Sequence, residues 1–416
     1  MDSQRRVVIT GIGTLSACGI GYEPLWQMAL QGQSAIRELA DFPTKGSPVS
    51  VGGAIPNFRP EEFVKTRKSL KMMSRDIQLA VAASTLAVKD SNLAWDQVER
   101  TRAGIVFGSG LINNELDELG AGIKQSLDDE GKFQMKRFGR EGIRALFPLW
   151  LLKYLPNMPA CHISILHGLK GPNNTLTTSS TGCLQAVGEA YRVIERDDAD
   201  VMLAGASDSK INPIGLARLH LLGILSEENH LPEKIYRPFD LQRKGIVVGE
   251  GAGIFILEER SHALRRGARI YGEILGYGSR FNLTLSLHDV LEEAERDISD
   301  IDFIHAHGSG IPEQDISEAR SITDVFSNGS SRVPVTASKS VTGHLMDAVG
   351  TSELSLALLS LQRKTLPPVA NLEELDPQCD LNFVLGKPKA SDGDTFLLQS
   401  CGLGGQSAAL VINHEK

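Results

Sequence analysis

The apolar positions of this chain fall into short runs that alternate between a strand-like and a helix-like period. Residues 7–10 form a buried strand that closes on Gly11 and Gly13. Residues 75–89 carry Ile77, Leu79, Ala80, Val81, Ala83, Leu86, Ala87 and Val88, a helix apolar on most sides and so expected between layers. Residues 103–107 form the next strand and run into Gly108-Ser109-Gly110. Further strands are expected at 175–178, 201–204, 254–257, 269–275 and 301–305, with helices at 183–194 and 216–225. Residues 115–130 are acidic and read as a solvated excursion. Residues 147–158 are apolar but broken by Pro148 and Pro156, which suits a pocket lining, a subunit contact or core. Strands alternating with helices predict an α/β protein with mainly parallel sheets and helices outside. Ligands in such folds sit at the C-terminal ends of strands.

The pattern then starts again. The strand at 269–275 ends in Gly276 and Gly278, echoing 7–13, and Gly308-Ser309-Gly310 echoes Gly108-Ser109-Gly110. Thr181-Gly182-Cys183-Leu184 followed by Ala186-Val187-Gly188 is echoed by Thr342-Gly343-His344-Leu345 followed by Ala348-Val349-Gly350. This self-similarity predicts two related βα halves, 1–257 and 258–416.

Composition narrows the class. The chain has 416 residues, too many for one simple core, with ordinary hydrophobic (41%) and charged (23%) content. A net charge of −8 argues against a nucleic-acid or anionic-membrane surface. Two local basic clusters, Lys65, Arg67, Lys68 and Lys71, and Arg265, Arg266 and Arg269, are either solvated faces or a landing site for an acidic carrier protein. Five scattered cysteines show no metal or redox spacing, and no signal peptide or membrane-spanning run is expected, so a cytoplasmic location is predicted. Ser16 stands where a dinucleotide fingerprint needs its third glycine, so nucleotide binding is not expected.

The stretch 173–200 carries the first candidate chemistry. An extended run breaks at Ser179-Ser180-Thr181-Gly182 into a helical pattern. Free N–H groups at such a turn favour developing negative charge, so Ser180 is either a helix cap or a nucleophile. Three more motifs fall at strand ends: Ala306-His307-Gly308-Ser309, Ser338-Lys339-Ser340-Val341-Thr342-Gly343-His344, and Gly402-Leu403-Gly404-Gly405. Each alone is weak. His305 and His307 lack a third ligand, so no metal site is expected.

Together, and with Gly168-Leu169-Lys170-Gly171-Pro172, Arg237-Pro238-Phe239-Asp240 and Gly249-Glu250-Gly251-Ala252-Gly253, the set resembles the β-ketoacyl-acyl-carrier-protein synthases of the thiolase superfamily over nearly the whole chain. The resemblance implies a thiolase-like fold of five αβαβα layers. It implies acyl transfer from a carrier protein's phosphopantetheine arm, then decarboxylative condensation with malonyl-carrier protein, in fatty acid or polyketide synthesis. His307 and His344 would stabilise the thioester oxygen, Lys339 would order the site, and Glu318 would be an acidic partner. The backbone N–H groups of Ser180 and Leu403 would form the oxyanion hole. Ser309, Ile311, Leu403 and Gly404 would face the substrate arm. No metal or organic cofactor is implied. A dimer joined along 173–178 is implied, with itself or with a paralogous ketosynthase.

The chain departs from that family around one pocket. Ser180 stands at the nucleophilic cysteine's position, and Cys183, one turn further on, is expected to be packed. A hydroxyl ionises far less readily than a thiol and needs a base. Leu403 replaces an aromatic gate, Gln399 and Cys401 replace Asn and Phe, Ser309 and Ile311 replace two threonines, and Lys244-Gly245-Ile246 replaces Asp-Gly-Phe. The stretch 278–301 is short. A laboratory Cys-to-Ser exchange would account for Ser180 but not for its neighbours. Two main readings follow: a condensing acyltransferase using Ser180, or a non-condensing partner similar to the chain-length factors. A bare carrier-binding module is the least supported.

Overall fold

The computed structural model describes residues 5–39, 49–64, 66–112, 114–326 and 333–414, so Lys65 of the first basic cluster lies outside the described residues. Ten principal strands are β1 (Val7–Ser16), β2 (Ala103–Gly108), β3 (Asn173–Leu176), β4 (Val201–Ser209), β5 (Glu250–Glu259), β6 (Gly272–Arg280), β7 (Phe303–His305), β8 (Val335–Thr336), β9 (Thr395–Cys401) and β10 (Ser407–Asn413). They follow one hydrogen-bonded path, β8-β7-β9-β10-β6-β1-β5-β4-β2-β3. The order is the same in both halves: third, second, fourth, fifth, first. The two first strands, β1 and β6, join the halves antiparallel, with Val7 opposite Ile274 and Ile9 opposite Gly272.

The sheet is mixed, which corrects the expectation of mainly parallel pairing. In each half the second strand is parallel to the third and fourth, whereas the fifth runs against the fourth and the first. In the second half the reversal is a hairpin: β9 turns directly into β10 at 402–406, with no crossover helix to restore direction.

Six helices complete the layers: α1 (Arg75–Asp90), α2 (Met158–His167), α3 (Gly182–Glu195), α4 (Leu283–Glu293), α5 (Pro312–Val325) and α6 (Thr351–Arg363). α3 and α6 lie between the half-sheets and touch strands of both. α1 and α2 cover the outer face of the first half, and α4 and α5 that of the second. The result is five layers, αβαβα. α1, expected between layers, is an outer helix whose exposed side is reduced because α2 lies on it. α6 is buried from Thr351 to Leu361, and Leu354, Leu356, Leu358, Leu359 and Leu361 each contribute about 1.5–3 kcal/mol of burial.

The glycine pairs do not end their strands. Gly11 and Gly13 lie inside β1, where a Cβ would meet the carbonyl oxygens of Ala87 and Ala83 on α1 at 2.5 and 2.0 Å. Gly276 and Gly278 lie inside β6, where a Cβ would meet those of Val290 and Ser286 on α4 at 2.7 and 2.3 Å. At both places the glycines let a helix backbone approach a strand. The predicted helix at 216–225 is found earlier, at Pro213–Leu221, because Asn212 caps it through Gly215 N–H and Pro213 suits its first turn.

The acidic excursion holds a helix, Leu116–Gln125, with little burial. Phe147, Leu149 and Leu151 are each about half exposed, so 147–158 supplies little core to this chain. β3 is the outer edge of the sheet, and Asn173 and Asn174 are exposed. No helix is long and apolar enough to cross a membrane among the described residues.

Candidate functional site

β3 ends beside β2, and the chain then turns through Ser179–Thr181 into α3. Ser179 adopts φ 57°, a left-handed conformation that costs a non-glycine residue roughly 1–2 kcal/mol. Neither Ser180 nor Thr181 caps the helix: α3 has no side-chain cap, and the Thr181 hydroxyl donates backward to the Thr178 carbonyl at 2.9 Å. Ser180 is 2% exposed, at the C-terminal end of the parallel strands and the N-terminus of α3. Two bonds from the second half hold the turn. The Ser400 hydroxyl on β9 donates to the Ser180 carbonyl at 2.5 Å, and Gln406 Nε2 donates to the Thr178 carbonyl at 3.1 Å. These two residues flank the 402–405 hairpin, so Leu403 and Gly404 lie beside the Ser180 turn. Leu403 is 46% exposed. Its N–H takes no part in the hairpin's hydrogen bonds, Gly402 N–H to the Gln406 carbonyl and Gly405 N–H to that of Gly402.

His307 follows the end of β7, and His344 follows the short helix Lys339–Thr342. Both are buried, with ring centroids 5.7 Å apart at 81°. The turn after His344, Met346–Ala348, packs on the Ser179–Thr181 turn. His344 Nδ1 accepts the Met346 N–H at 3.1 Å, which puts the imidazole proton on Nε2. His307 Nδ1 lies 3.3 Å from Lys339 Nζ, which has only hydrogens to offer, so this proton is also on Nε2. His307 Nε2 is buried without a partner among the described residues. Burial, reinforced by the Lys339 charge, pushes His344 down to about 3 and His307 well below its usual value. The site therefore presents two neutral N–H donors at physiological pH.

Lys339 is fixed from three sides. It donates to the His307 carbonyl, faces His307 Nδ1, and pairs with Glu353 on α6 at 2.8 Å. Burial raises the Glu353 carboxyl, but Lys339 outweighs it and holds the group below its usual range. Sequence reasoning did not single out Glu353. Its signal was an acid in the apolar run Ser352-Glu353-Leu354-Ser355-Leu356, three residues after Gly350, whose N–H it accepts at 2.9 Å. Glu318 on α5 lies elsewhere. It accepts the N–H groups of His307 (2.5 Å) and Gly308 (2.8 Å) and Gln399 Nε2 (2.7 Å), so it shapes the His307 loop and is not the lysine's ion partner. Burial, then the Asp315 charge, raises Glu318 to about 7.

The Ser309 hydroxyl is committed internally. It donates to Asp315 Oδ1 at 3.1 Å and accepts the Ile311 N–H at 3.0 Å. Ile311 is half-buried against the cluster containing Met346. Cys183 is fully buried in the central core, and its thiol is pushed up by burial, so it is inert. The Ser180 hydroxyl makes no hydrogen bond to His307 or His344 among the described residues. In the tautomers assigned from these contacts each ring carries its proton on Nε2 and has its Nδ1 lone pair engaged, so neither is set up as its base.

The basic clusters differ. Arg266 pairs with Glu258 and Arg269 with Asp90, whereas Arg67, Lys68 and Lys71 are exposed and enter no ion pair among the described residues.

Comparison with known proteins agrees with this layout. Residues 4–263 match the family model described as Beta-ketoacyl synthase, N-terminal domain, and residues 281–373 match Beta-ketoacyl synthase, C-terminal domain. The chain is 32% identical to 3-oxoacyl-acyl-carrier-protein synthase 2 of Coxiella burnetii, over 99% of each chain. Among solved structures it is similar to a beta-ketoacyl synthase from Burkholderia phymatum, with TM-score 0.88 and 27% identity over 99% of this chain and 100% of that one. It is also similar to the ishigamide ketosynthase/chain length factor, with TM-score 0.87 and 28% identity over 100% of both chains.

Proposed function

The chain belongs to the β-ketoacyl synthase family, and on that premise we propose that it is a carrier-protein-dependent acyltransferase that keeps the decarboxylating half of the condensation and uses Ser180 as its acyl acceptor. The observation that carries this reading is the pair of neutral Nε2–H donors on His307 and His344, each held in that tautomer from behind. A malonyl thioester bound beside them loses carbon dioxide. The carbon–carbon electron pair passes to an enolate, whose oxygen the two N–H groups stabilise by a few kcal/mol per good donor. Neutral donors suit this step because they need not lose a proton. The enolate carbon then attacks the acyl carbon carried on Ser180 Oγ. A carbon–carbon bond forms, the ester carbon–oxygen bond breaks, and the serine alkoxide takes up a proton. The N–H groups of Ser180 and Leu403 hold the acyl oxygen. The thioester supplies the activation, so no metal or organic cofactor enters.

Ile311, Leu403 and Gly404 line the approach of the phosphopantetheine arm. Ser309 instead supports the Ile311 loop through Asp315, since its hydroxyl is already engaged. Arg67, Lys68 and Lys71 suit an acidic carrier protein because they are exposed and enter no ion pair among the described residues. The exposed edge at β3, with the apolar side chains of 147–151 exposed on the same chain, supports a dimer with itself or with a paralogue.

A second reading is favoured by one observation: the Ser180 hydroxyl has no hydrogen-bonded base among the described residues. In that reading the chain partners an active ketosynthase without condensing. The test incubates the protein with malonyl-carrier protein and, separately, with acyl-carrier protein. Acetyl-carrier protein and an acyl mass on Ser180 support the first reading. Neither product, with synthesis appearing only when an active ketosynthase is added, supports the second.

A further inference from the structure

The end of β4 carries charged side chains that the proposed reaction does not use. Lys210 is nearly buried and has three hydrogen-bond partners: Asp208 Oδ1 at 2.6 Å, Asp347 Oδ2 at 3.1 Å and the Leu111 carbonyl at 2.8 Å. All three ammonium hydrogens are thus placed. The other oxygen of Asp208 accepts the backbone N–H of Asp347 at 2.9 Å. Asp347 lies in the turn just after His344, and the amide before it, Met346 N–H, is the one bonded to His344 Nδ1. Met346 has φ 48°, a left-handed conformation unfavourable for a long side chain. Such a turn persists when its surroundings over-determine it. Gly110 contributes by having no side chain, since a Cβ there would lie 1.8 Å from Asp347 Oδ2.

We propose that Asp208, Lys210 and Asp347 form a clasp between the two halves that positions His344, holding the Met346 turn so that its N–H stays on Nδ1 and the imidazole proton stays on Nε2. These are positioning residues: they act on the reaction through His344, and the catalytic consequence rests on the function proposed above. The two halves meet here in a direct way, because Asp208 and Lys210 come from the first and Asp347 and His344 from the second. The plainer alternative is that Lys210 only neutralises buried carboxylates, Asp76 included. That role would affect stability and leave the imidazole untouched.

The test uses the full chain labelled with 15N-histidine, with His344 assigned by its disappearance in His344→Gln. The wild-type ring is expected as a single Nε2–H tautomer. In Lys210→Met the His344 signals should shift towards a mixture of tautomers. The kcat for malonyl-carrier protein decarboxylation should fall about tenfold or more with KM unchanged, since small misplacements of a catalytic group have effects of that size or larger. Lys210→Arg should restore most of both. If Lys210→Met does not fold, as judged by circular dichroism, Asp347→Asn takes its place, with the same expectation. An unchanged His344 tautomer in the folded variant overturns the clasp, as does a rise in KM with kcat unchanged. A wild type that does not decarboxylate overturns the proposed function, while the tautomer spectrum still decides the clasp.

Discussion

Lys339 Nζ lies 2.8 Å from the Glu353 carboxylate, and both residues are buried at the point where α6 starts between the two half-sheets. Removing one partner of such a pair leaves a bare charge in the core. Glu353→Ala is therefore expected to cost about 3–5 kcal/mol in urea unfolding, and Glu353→Leu with Lys339→Met should recover much of it. Equal losses in the single and double variants would mean that the ion pair is not what makes Glu353 necessary.

The donor role of His344 separates it from a base. His344→Ala is expected to lower malonyl-carrier protein decarboxylation by about a hundredfold or more, the usual cost of one lost oxyanion donor. His344→Gln, whose side-chain amide keeps an N–H, should retain a substantial part of the rate. If Gln is as damaging as Ala, proton transfer and not donation is the histidine's task.

Glu318 gives the fold a pH dependence with a definite sign. Its folded-state value, about 7, lies above the usual 4.5, so the folded chain holds this proton where the unfolded chain has lost it. The contribution to stability is fully present below about pH 4.5 and declines as pH rises towards about 7, by on the order of 3 kcal/mol. Glu318→Gln should make Tm fall less steeply across that window than in the wild type. Parallel Tm curves would place the titration elsewhere.

Close helix approach explains the strand glycines, and stability measurements can check it. Gly13→Ala would put a methyl 2.0 Å from the Ala83 carbonyl and should cost about 1–3 kcal/mol or more. Gly120→Ala, in the helix Leu116–Gln125 with nothing within 4 Å, should instead stabilise by about 0.5–1 kcal/mol. Chemical denaturation of both variants decides the point. A neutral Gly13→Ala would mean that α1 can move away from β1.

In the second half only 269–275 and 301–305 were read as strands, whereas all five strands of the first half and the helices at 75–89 and 183–194 were legible as short apolar runs. Strand direction was not, because nothing in 395–401 or 407–413 marks them as neighbours apart from the glycines between them. Gly11 and Gly13 were misread as strand ends because a glycine that admits a helix looks the same in sequence as one that makes a turn. At the site, His307, His344 and Lys339 stood out as polar residues in glycine-flanked motifs at strand ends, and the structure brings the three together. Glu353 was hidden inside a helical run of leucines, and its importance appears only when Lys339 arrives from another element. The commitment of Ser309 to Asp315 was hidden in the same way, since a loop serine shows no sign of being already satisfied.

The most direct measurement is made on Ser180→Cys. Incubated with acyl-carrier protein and then malonyl-carrier protein, this variant should show an acyl mass on residue 180 and release β-ketoacyl-carrier protein, with the wild type acylated at the same residue but more slowly. The thiol supplies the ionisable nucleophile that the rest of the site lacks. A folded variant that still decarboxylates but takes up no acyl group would contradict the placement of Ser180 at the acyl-transfer position.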